Sequence, residues 1–153
     1  MDYAALRDEL QSDPGGIGYA AYLPDEPGMV VELLNKPQFL MPKTFMVTAR
    51  GVISGKGLGA SAGAAFLDKL ETLTPVVSEV KWAMRFMQGE QGIDVGNPET
   101  QATLDGLVGA AGITQVEIDG IKAMANQPAS RAEILFGANA AITIDNLREA
   151  GVI

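Results

Sequence analysis

Glycine and proline interrupt this chain so often that no long uninterrupted element can form. The 153 residues include 18 glycines and 8 prolines, spread along the whole length. Both residues end helices, glycine because its backbone is so free and proline because it has no N–H group. The sequence therefore predicts short elements joined by tight connections.

Helix-start signals identify most of these elements as helices. Thr114 and Glu117 have the spacing of a capping box, and so do Ser130 and Glu133. Asn97 precedes a proline and an acidic residue, which is typical of a helix start. Apolar residues at helical spacing, with Thr74-Pro75 and Thr143 as further start signals, predict helices over 2–11, 28–34, 60–73, 74–88 and 143–150.

Two segments near the middle of the chain are less clear. Residues 44–54 are rich in β-branched side chains, which favours a strand, whereas Thr48 could instead cap a short helix through Ser54. We predict the helix, because no partner strand is evident elsewhere. Pro37 and Pro42 enclose a segment that we predict to be an extended linker.

These signals together predict an all-α fold, a compact array of seven or eight short helices with Gly/Pro-rich connections and an extended linker near 36–44. The length corresponds to one ordinary domain, so we predict a single helical domain over 1–153. Within it we distinguish an N-terminal helical arm over 1–35, a basic, Gly/Pro-rich joint over 36–59 and a helical core over 60–153.

The composition argues against an enzyme. The chain has no histidine and no cysteine, so it lacks the commonest general base, the commonest metal ligand and any thiolate. No serine lies in a G-x-S-x-G motif, and the acidic residues are explained by helix first turns, capping boxes and solvated faces. We therefore predict no catalytic residues, no cofactor and no metal site.

A glycine-rich stretch over 50–66, RGVISGKGLGASAGAAF, is the one candidate for a nucleotide site. A P-loop needs a serine or threonine after Gly55-Lys56 and a glycine where Arg50 stands, so that motif fails. The dinucleotide fingerprint G-x-G-x-x-G/A fits from Gly55 to Ala60, but the βαβ unit that it requires is not predicted. We interpret the stretch as a joint between two short helices.

Charge is distributed unevenly along the sequence. The net charge is −8, yet residues 33–67 contain no acidic residue, whereas residues 1–32 hold seven acids and one arginine. The basic residues of this segment either pair with the chain's own acids or face an acidic partner, including another copy in a head-to-tail contact. The candidate subunit-contact residues are Lys36, Lys43, Arg50 and Lys56.

The total charge and the apolar runs bear on other partners. An acidic chain repels nucleic acid, and no apolar run is long enough to span a membrane, so we predict neither partner. The acidic, amphipathic N-terminus is unlike a signal peptide, and we expect synthesis in a cytoplasm.

The helix predicted over 74–88 carries Trp82, Met84 and Met87. We interpret these side chains as core fillers, because methionine adapts to irregular gaps. A protein-binding surface is the alternative.

Both ends of the chain carry familiar motifs. The opening consists of Met1-Asp2-Tyr3-Ala4-Ala5-Leu6, Glu9-Leu10, Asp13-Pro14, Gly16, Gly18-Tyr19 and Leu34-Asn35, and the ending of Gly112-Ile113-Thr114, Ser130-Arg131-Ala132-Glu133, Gly137, Ile142-Thr143 and Leu147. This combination resembles a family of small α-helical proteins of tailed bacteriophages and prophages, which open with MDYAxL…DPxGxGY and close with SRAExLG. The middle of the chain, about 36–70, matches poorly.

The resemblance implies a structural component of the phage particle, made in the cytoplasm of a bacterial host and located in the virion. The tail, tail tip or a fibre attachment is the first expectation, with other virion proteins as partners and several copies in a symmetric assembly. A head–tail connector or a capsid-decorating subunit is the main alternative, and a regulatory or host-takeover protein outside the virion is an alternative of another class. The family carries no catalytic residue over to this chain.

Overall fold

A computed structural model describes residues 1–153 and contains both helices and strands. The helices are α1 (Tyr3–Ser12), α2 (Pro27–Asn35), α3 (Ala49–Val52), α4 (Ala60–Leu73), α5 (Ser78–Gln88), α6 (Pro98–Gly106), α7 (Gln115–Ala123), α8 (Arg131–Phe136) and α9 (Ile144–Glu149), with 3-10 helices at Tyr19–Ala21 and Ala110–Gly112. The strands are β1 (Pro37–Pro42), β2 (Met46–Val47), β3 (Ile93–Asp94) and β4 (Asn126–Ser130).

The prediction of an all-α fold is wrong. β1 pairs with β4, and β2 pairs with β3, so that two small antiparallel sheets accompany nine α-helices rather than seven or eight. In the second sheet Val47 lies opposite Ile93. The segment predicted as a linker near 36–44 is extended, but 37–42 is a paired strand. β2 and β3 have two residues each, which is too short for a periodic pattern. In both sheets the paired strands are distant in sequence.

Residues 44–54 combine the two structures that their sequence allows. Met46 and Val47 form β2, and the α3 helix follows at once, with the Thr48 side chain accepting a hydrogen bond from the N–H of Gly51. The short helix predicted from Thr48 through Ser54 is therefore present, although it ends at Val52, and the rejection of a strand is wrong for Met46 and Val47. The strand that pairs with β2 is β3, and it could not be recognised in the sequence because it has only two residues.

A helix start predicted at Thr74-Pro75 is also wrong. The α4 helix ends at Leu73, and the Thr74 hydroxyl donates to the carbonyl oxygen of Leu70 at 3.2 Å instead of capping a new helix. The α5 helix begins only at Ser78. By contrast, the caps predicted at Asn97, Thr114, Ser130 and Thr143 are all present, and the last three close complete capping boxes.

The chain divides into two compact units. Unit 1 consists of Met1–Met41 and Pro128–Ile153, and unit 2 consists of Pro42–Gln127. The boundaries fall inside β1 and β4 and do not coincide with those expected at 35/36 and 59/60. A single domain over 1–153 stays a prediction.

Unit 1 brings the two ends of the chain together around its own apolar core. The core residues are Leu6, Leu10, Tyr19, Val30, Leu34, Ala132, Ile142, Leu147 and Ala150. The Asn35 amide donates to the carbonyl oxygen of Ile142 and accepts from its N–H, both at 2.8 Å. The Arg7 guanidinium donates to the carbonyl oxygen of Ala150 at 2.7 Å. These contacts fasten the N-terminal helices to the C-terminal ones.

Unit 2 has a separate core, formed by α3 to α7 and the β2–β3 pair. Its buried apolar residues are Val47, Val52, Phe66, Leu70, Leu73, Val80, Met84, Met87, Val95, Leu104, Leu107, Ile113, Ile118, Ile121 and Ala125. An ion pair of 2.7 Å between Lys69 on α4 and Glu117 on α7 adds a polar contact at the edge of this core.

Candidate docking surface

The four basic residues predicted to contact a partner lie in both units. Lys36 follows α2 in unit 1, whereas Lys43, Arg50 and Lys56 belong to unit 2. Lys36, Arg50 and Lys56 are exposed, and Lys43 is half-buried. Arg50 lies on α3, and Lys56 lies in the turn that follows it.

Intramolecular ion pairs do not account for three of these four cations. The ion pairs within the chain include Lys69–Glu117, Lys122–Asp105, Arg131–Glu9 and Arg148–Asp145. Lys36, Arg50 and Lys56 form none. Of the two explanations for the basic segment, pairing with the chain's own acids therefore fails for these three residues.

Arg50 lines an open groove of about 600 Å³ in unit 2. The groove runs between the start of α3 and the end of α5, and its other lining residues are Thr48, Ala49, Met87, Gln88, Gly89 and Glu90. The wall formed by α3 therefore carries the unpaired Arg50 guanidinium, and the wall formed by the end of α5 carries the Glu90 carboxylate.

The α5 helix exposes an aromatic and basic face, of which the sequence analysis singled out only Trp82. We call it the α5 face, and it consists of Lys81, Trp82, Arg85 and Phe86. Trp82 is 51% exposed and Phe86 is 55% exposed. The Arg85 guanidinium lies over the Trp82 ring, 4.7 Å from its centroid. Neither Lys81 nor Arg85 takes part in an ion pair within the chain.

The opposite side of the same helix is buried. Met84 and Met87 are 7% and 3% exposed and belong to the core of unit 2, as the core-filling interpretation predicts. For Trp82 that interpretation is wrong. The signal was present in the sequence, because Trp82 and Phe86 lie four residues apart and outside the apolar stripe of this helix.

The glycine-rich stretch lies between α3 and α4, where it forms a sharp connection. A side chain at Gly57 or Gly63 would collide with the backbone of Val52, so glycine lets α4 start directly against the end of α3. The N–H groups of residues 57 and 59 donate to the carbonyl oxygen of Ser54, and that of residue 58 donates to Val52. These groups are used within the connection, which supports a helix joint over a phosphate-binding loop.

An apolar cavity of about 50 Å³ lies within unit 2. Val80, Leu104 and Ile121 are among its lining residues, with Glu79 and two threonines as the polar ones. Pockets for small ligands measure roughly 300–1,000 Å³, several times the volume of this cavity. The cavity is therefore a packing gap rather than a site for a cofactor.

The most deeply buried ionisable cluster lies in unit 1. Glu9 is 4% exposed, and Arg131 donates to both of its carboxylate oxygens at 2.7 Å. The Tyr19 hydroxyl donates to the same carboxylate at 3.3 Å. Burial and the Glu9 charge raise the pKa of Tyr19, and the hydrogen bond to Glu9 raises the pKa of Arg131. Because no buried side-chain polar atom here lacks a hydrogen-bond partner, the cluster acts as a polar connection between α1 and α8.

Comparison of the chain with protein-family models, with curated proteins and with solved structures finds no match. Function is therefore inferred from the chain's own residues. No group of histidine, cysteine, aspartate and glutamate side chains is arranged to hold a metal ion. None of the helices has the length and apolar content needed to cross a bilayer.

Proposed function

We propose that this protein is a structural component of a tailed bacteriophage virion that acts by docking on other protein chains. The place we assign to it is the tail or tail tip, in association with fibre components. It is synthesised in the cytoplasm of the bacterial host and then becomes part of the particle. It has no catalytic role and uses no cofactor.

The observation that carries the proposal is the combination of the α5 face with unpaired cations in the same unit. Tryptophan, other aromatics and arginine are enriched at the energetically dominant positions of protein interfaces. An exposed tryptophan and phenylalanine that support no core of their own suit a surface that a partner covers. Arg50 and Lys56 add positive charge, which suits an acidic partner.

The residues that carry the phage resemblance lie together in the core and the polar contacts of unit 1. Glu9, Tyr19 and Arg131 form the buried cluster of unit 1, and Asn35 binds the backbone beside Thr143. Residues from motifs at opposite ends of the sequence thus contact one another within unit 1.

Mass spectrometry of purified virions tests the proposal. We expect the protein to remain with the particles through density-gradient purification, while non-structural phage proteins from the same lysate are depleted. Its copy number relative to the major capsid protein then separates the candidate positions, because a tail tip needs few copies and capsid decoration needs many. Absence from purified particles contradicts the structural role and favours a regulatory or host-takeover protein.

A head–tail connector or a capsid-decorating subunit is the alternative within the same class. Electron microscopy of particles labelled with an antibody to this protein distinguishes them by position. Label at the distal end of the tail supports the tail-tip assignment, and label at the neck or over the capsid contradicts it.

A further inference from the structure

The two units differ in charge. Unit 1 holds ten acidic and four basic residues, whereas unit 2 holds nine and seven. The net charges are thus about −6 and −2, and the α5 face adds a local positive patch to unit 2. Opposite local charges on two surfaces of one polypeptide allow copies of it to attract each other even though the whole chain is acidic.

The basic partner in such a contact is the α5 face. Lys81 and Arg85 are exposed and have no carboxylate of their own. They flank Trp82 and Phe86, so the face offers apolar area and positive charge together. A suitable partner surface therefore needs carboxylates next to exposed apolar groups.

Unit 1 has such a surface in the segment 24–29, Pro-Asp-Glu-Pro-Gly-Met, which we call the acidic turn. Asp25 and Glu26 are exposed and make no ion pair. Glu26 occupies the N-cap position of α2, yet its side chain makes no capping hydrogen bond. Pro24 is exposed, and Met29 is exposed as well. Two free carboxylates therefore lie beside a proline and a methionine.

From this complementarity we infer that the α5 face binds the acidic turn of a second copy of this chain. The inference rests on the proposed function, because a subunit present in several copies needs a contact between copies. In the complex Asp25 and Glu26 neutralise Lys81 and Arg85, and the apolar groups beside them cover the Trp82 ring.

The contact joins two different surfaces, so after a single contact one copy keeps a free acidic turn and the other keeps a free α5 face. Such heterologous contacts extend into rings or filaments, or close into a two-fold dimer when two copies exchange both contacts. Attraction between exposed charges weakens as the Debye length shortens with salt. Association is therefore stronger at low than at high ionic strength.

Sedimentation velocity and tryptophan fluorescence of the purified full-length chain provide the first test. Trp82 is the only tryptophan, so its emission reports directly on the α5 face. We expect species larger than the monomer at high concentration and low salt, with Trp82 emission shifted to shorter wavelength as they form. A monomer at all concentrations, or association without a change in emission, overturns the inference.

Charge reversal provides the second test. The face variant is Lys81→Glu/Arg85→Glu, and the turn variant is Asp25→Lys/Glu26→Lys. Each alone places like charges at the contact, and we expect association to weaken by roughly tenfold or more. An equimolar mixture of the two variants restores opposite charges at every contact, and we expect it to associate within a few-fold of the unmodified chain. This restoration also shows that both variants are folded.

A matched control reverses two acidic residues elsewhere in unit 1, Asp8→Lys/Asp145→Lys, on α1 and α9. It changes net charge as much as the turn variant does, and we expect association to stay within a few-fold of the unmodified chain. A control that weakens association as strongly as the turn variant, or a mixture that stays monomeric, overturns the inference. Virion proteomics remains independent, since a monomeric protein found in particles contradicts only the self-contact.

Discussion

Replacing Arg131 by methionine tests whether the buried cluster fastens unit 1. Methionine keeps most of the side-chain volume and removes both hydrogen bonds to Glu9. The carboxylate of Glu9, whose side chain is 2% exposed, then keeps only the Tyr19 hydroxyl as a partner. Breaking one partner of a buried ion pair costs about 3–5 kcal/mol. We expect a loss of about 3 kcal/mol for Arg131→Met, because the Arg131 side chain is itself 18% exposed.

Urea denaturation followed by far-UV circular dichroism gives the change in the free energy of unfolding. Hydrogen exchange locates it, and we expect amide protection to fall in α1 and α8 more than in unit 2. Arg148→Met is the matched control, since Arg148 also pairs with a carboxylate at 2.8 Å but the two side chains are 65% and 80% exposed. Such a surface pair contributes about 0.2–1 kcal/mol.

A double variant separates the buried charge from the lost side chain. Glu9→Gln keeps an acceptor for Tyr19 and removes the carboxylate charge. If the uncompensated charge is the main cost, Glu9→Gln/Arg131→Met is more stable than Arg131→Met alone. The reasoning is refuted if Arg131→Met costs no more than Arg148→Met, or if the double variant is less stable than the single one.

Three further variants test other contacts, each by urea denaturation. Gly63→Ala places a Cβ within 2.6 Å of a backbone carbonyl oxygen and should lower the free energy of unfolding by about 1–3 kcal/mol. At Gly106 the added Cβ meets nothing within 4 Å, so Gly106→Ala should be neutral or stabilise the fold by about 0.5–1 kcal/mol. Equal effects of the two variants contradict the helix joint. The hydrogen bond donated by Lys69 lowers the pKa of the Glu117 carboxyl group from 4.5. The ionised carboxylate therefore stabilises the fold above that pH, and this stabilisation is lost as the pH falls through the lowered pKa. Glu117→Gln should therefore cost about 0.5–1 kcal/mol near neutral pH and less at acidic pH, and a deficit that grows on acidification contradicts the assignment. Met84→Ala should cost about 2–5 kcal/mol and Trp82→Ala less than about 1 kcal/mol, while a large cost for the second would show that Trp82 supports the core.

Local features of this fold could be predicted from the sequence. The capping boxes at Thr114 and Ser130 were predictable because all their hydrogen bonds lie within four residues. The glycine joint was interpretable because a phosphate loop needs residues that are absent. The helix start predicted at Thr74 was wrong because a threonine hydroxyl can donate to a carbonyl oxygen of the preceding turn as readily as it caps a following helix.

Non-local features could not be predicted in the same way. The pairing of Val47 with Ile93 joins two strands of two residues each, which leave no periodic pattern. One indirect signal exists, because Gly92 and Gly96 flank β3 and each lies against the backbone near β2, where a side chain would collide. The assembly of unit 1 from both chain ends depends on contacts such as Arg131 with Glu9, more than a hundred residues apart in sequence.

The two units also divide the sequence by the kind of constraint on each residue. In unit 1 the motif residues bind groups within the same unit, so a change at Glu9, Asn35 or Arg131 acts first on stability. In unit 2 the aromatic rings of the α5 face are about half exposed and its cations form no ion pair, so we expect a change at Trp82 or Arg85 to act first on whatever covers that face. Stability and docking should therefore be separable by mutation in this chain. A Trp82→Ala variant that folds normally and is lost from virions, beside an Arg148→Met variant that is retained, would place the docking function on α5. Retention of Trp82→Ala at normal copy number would move it elsewhere.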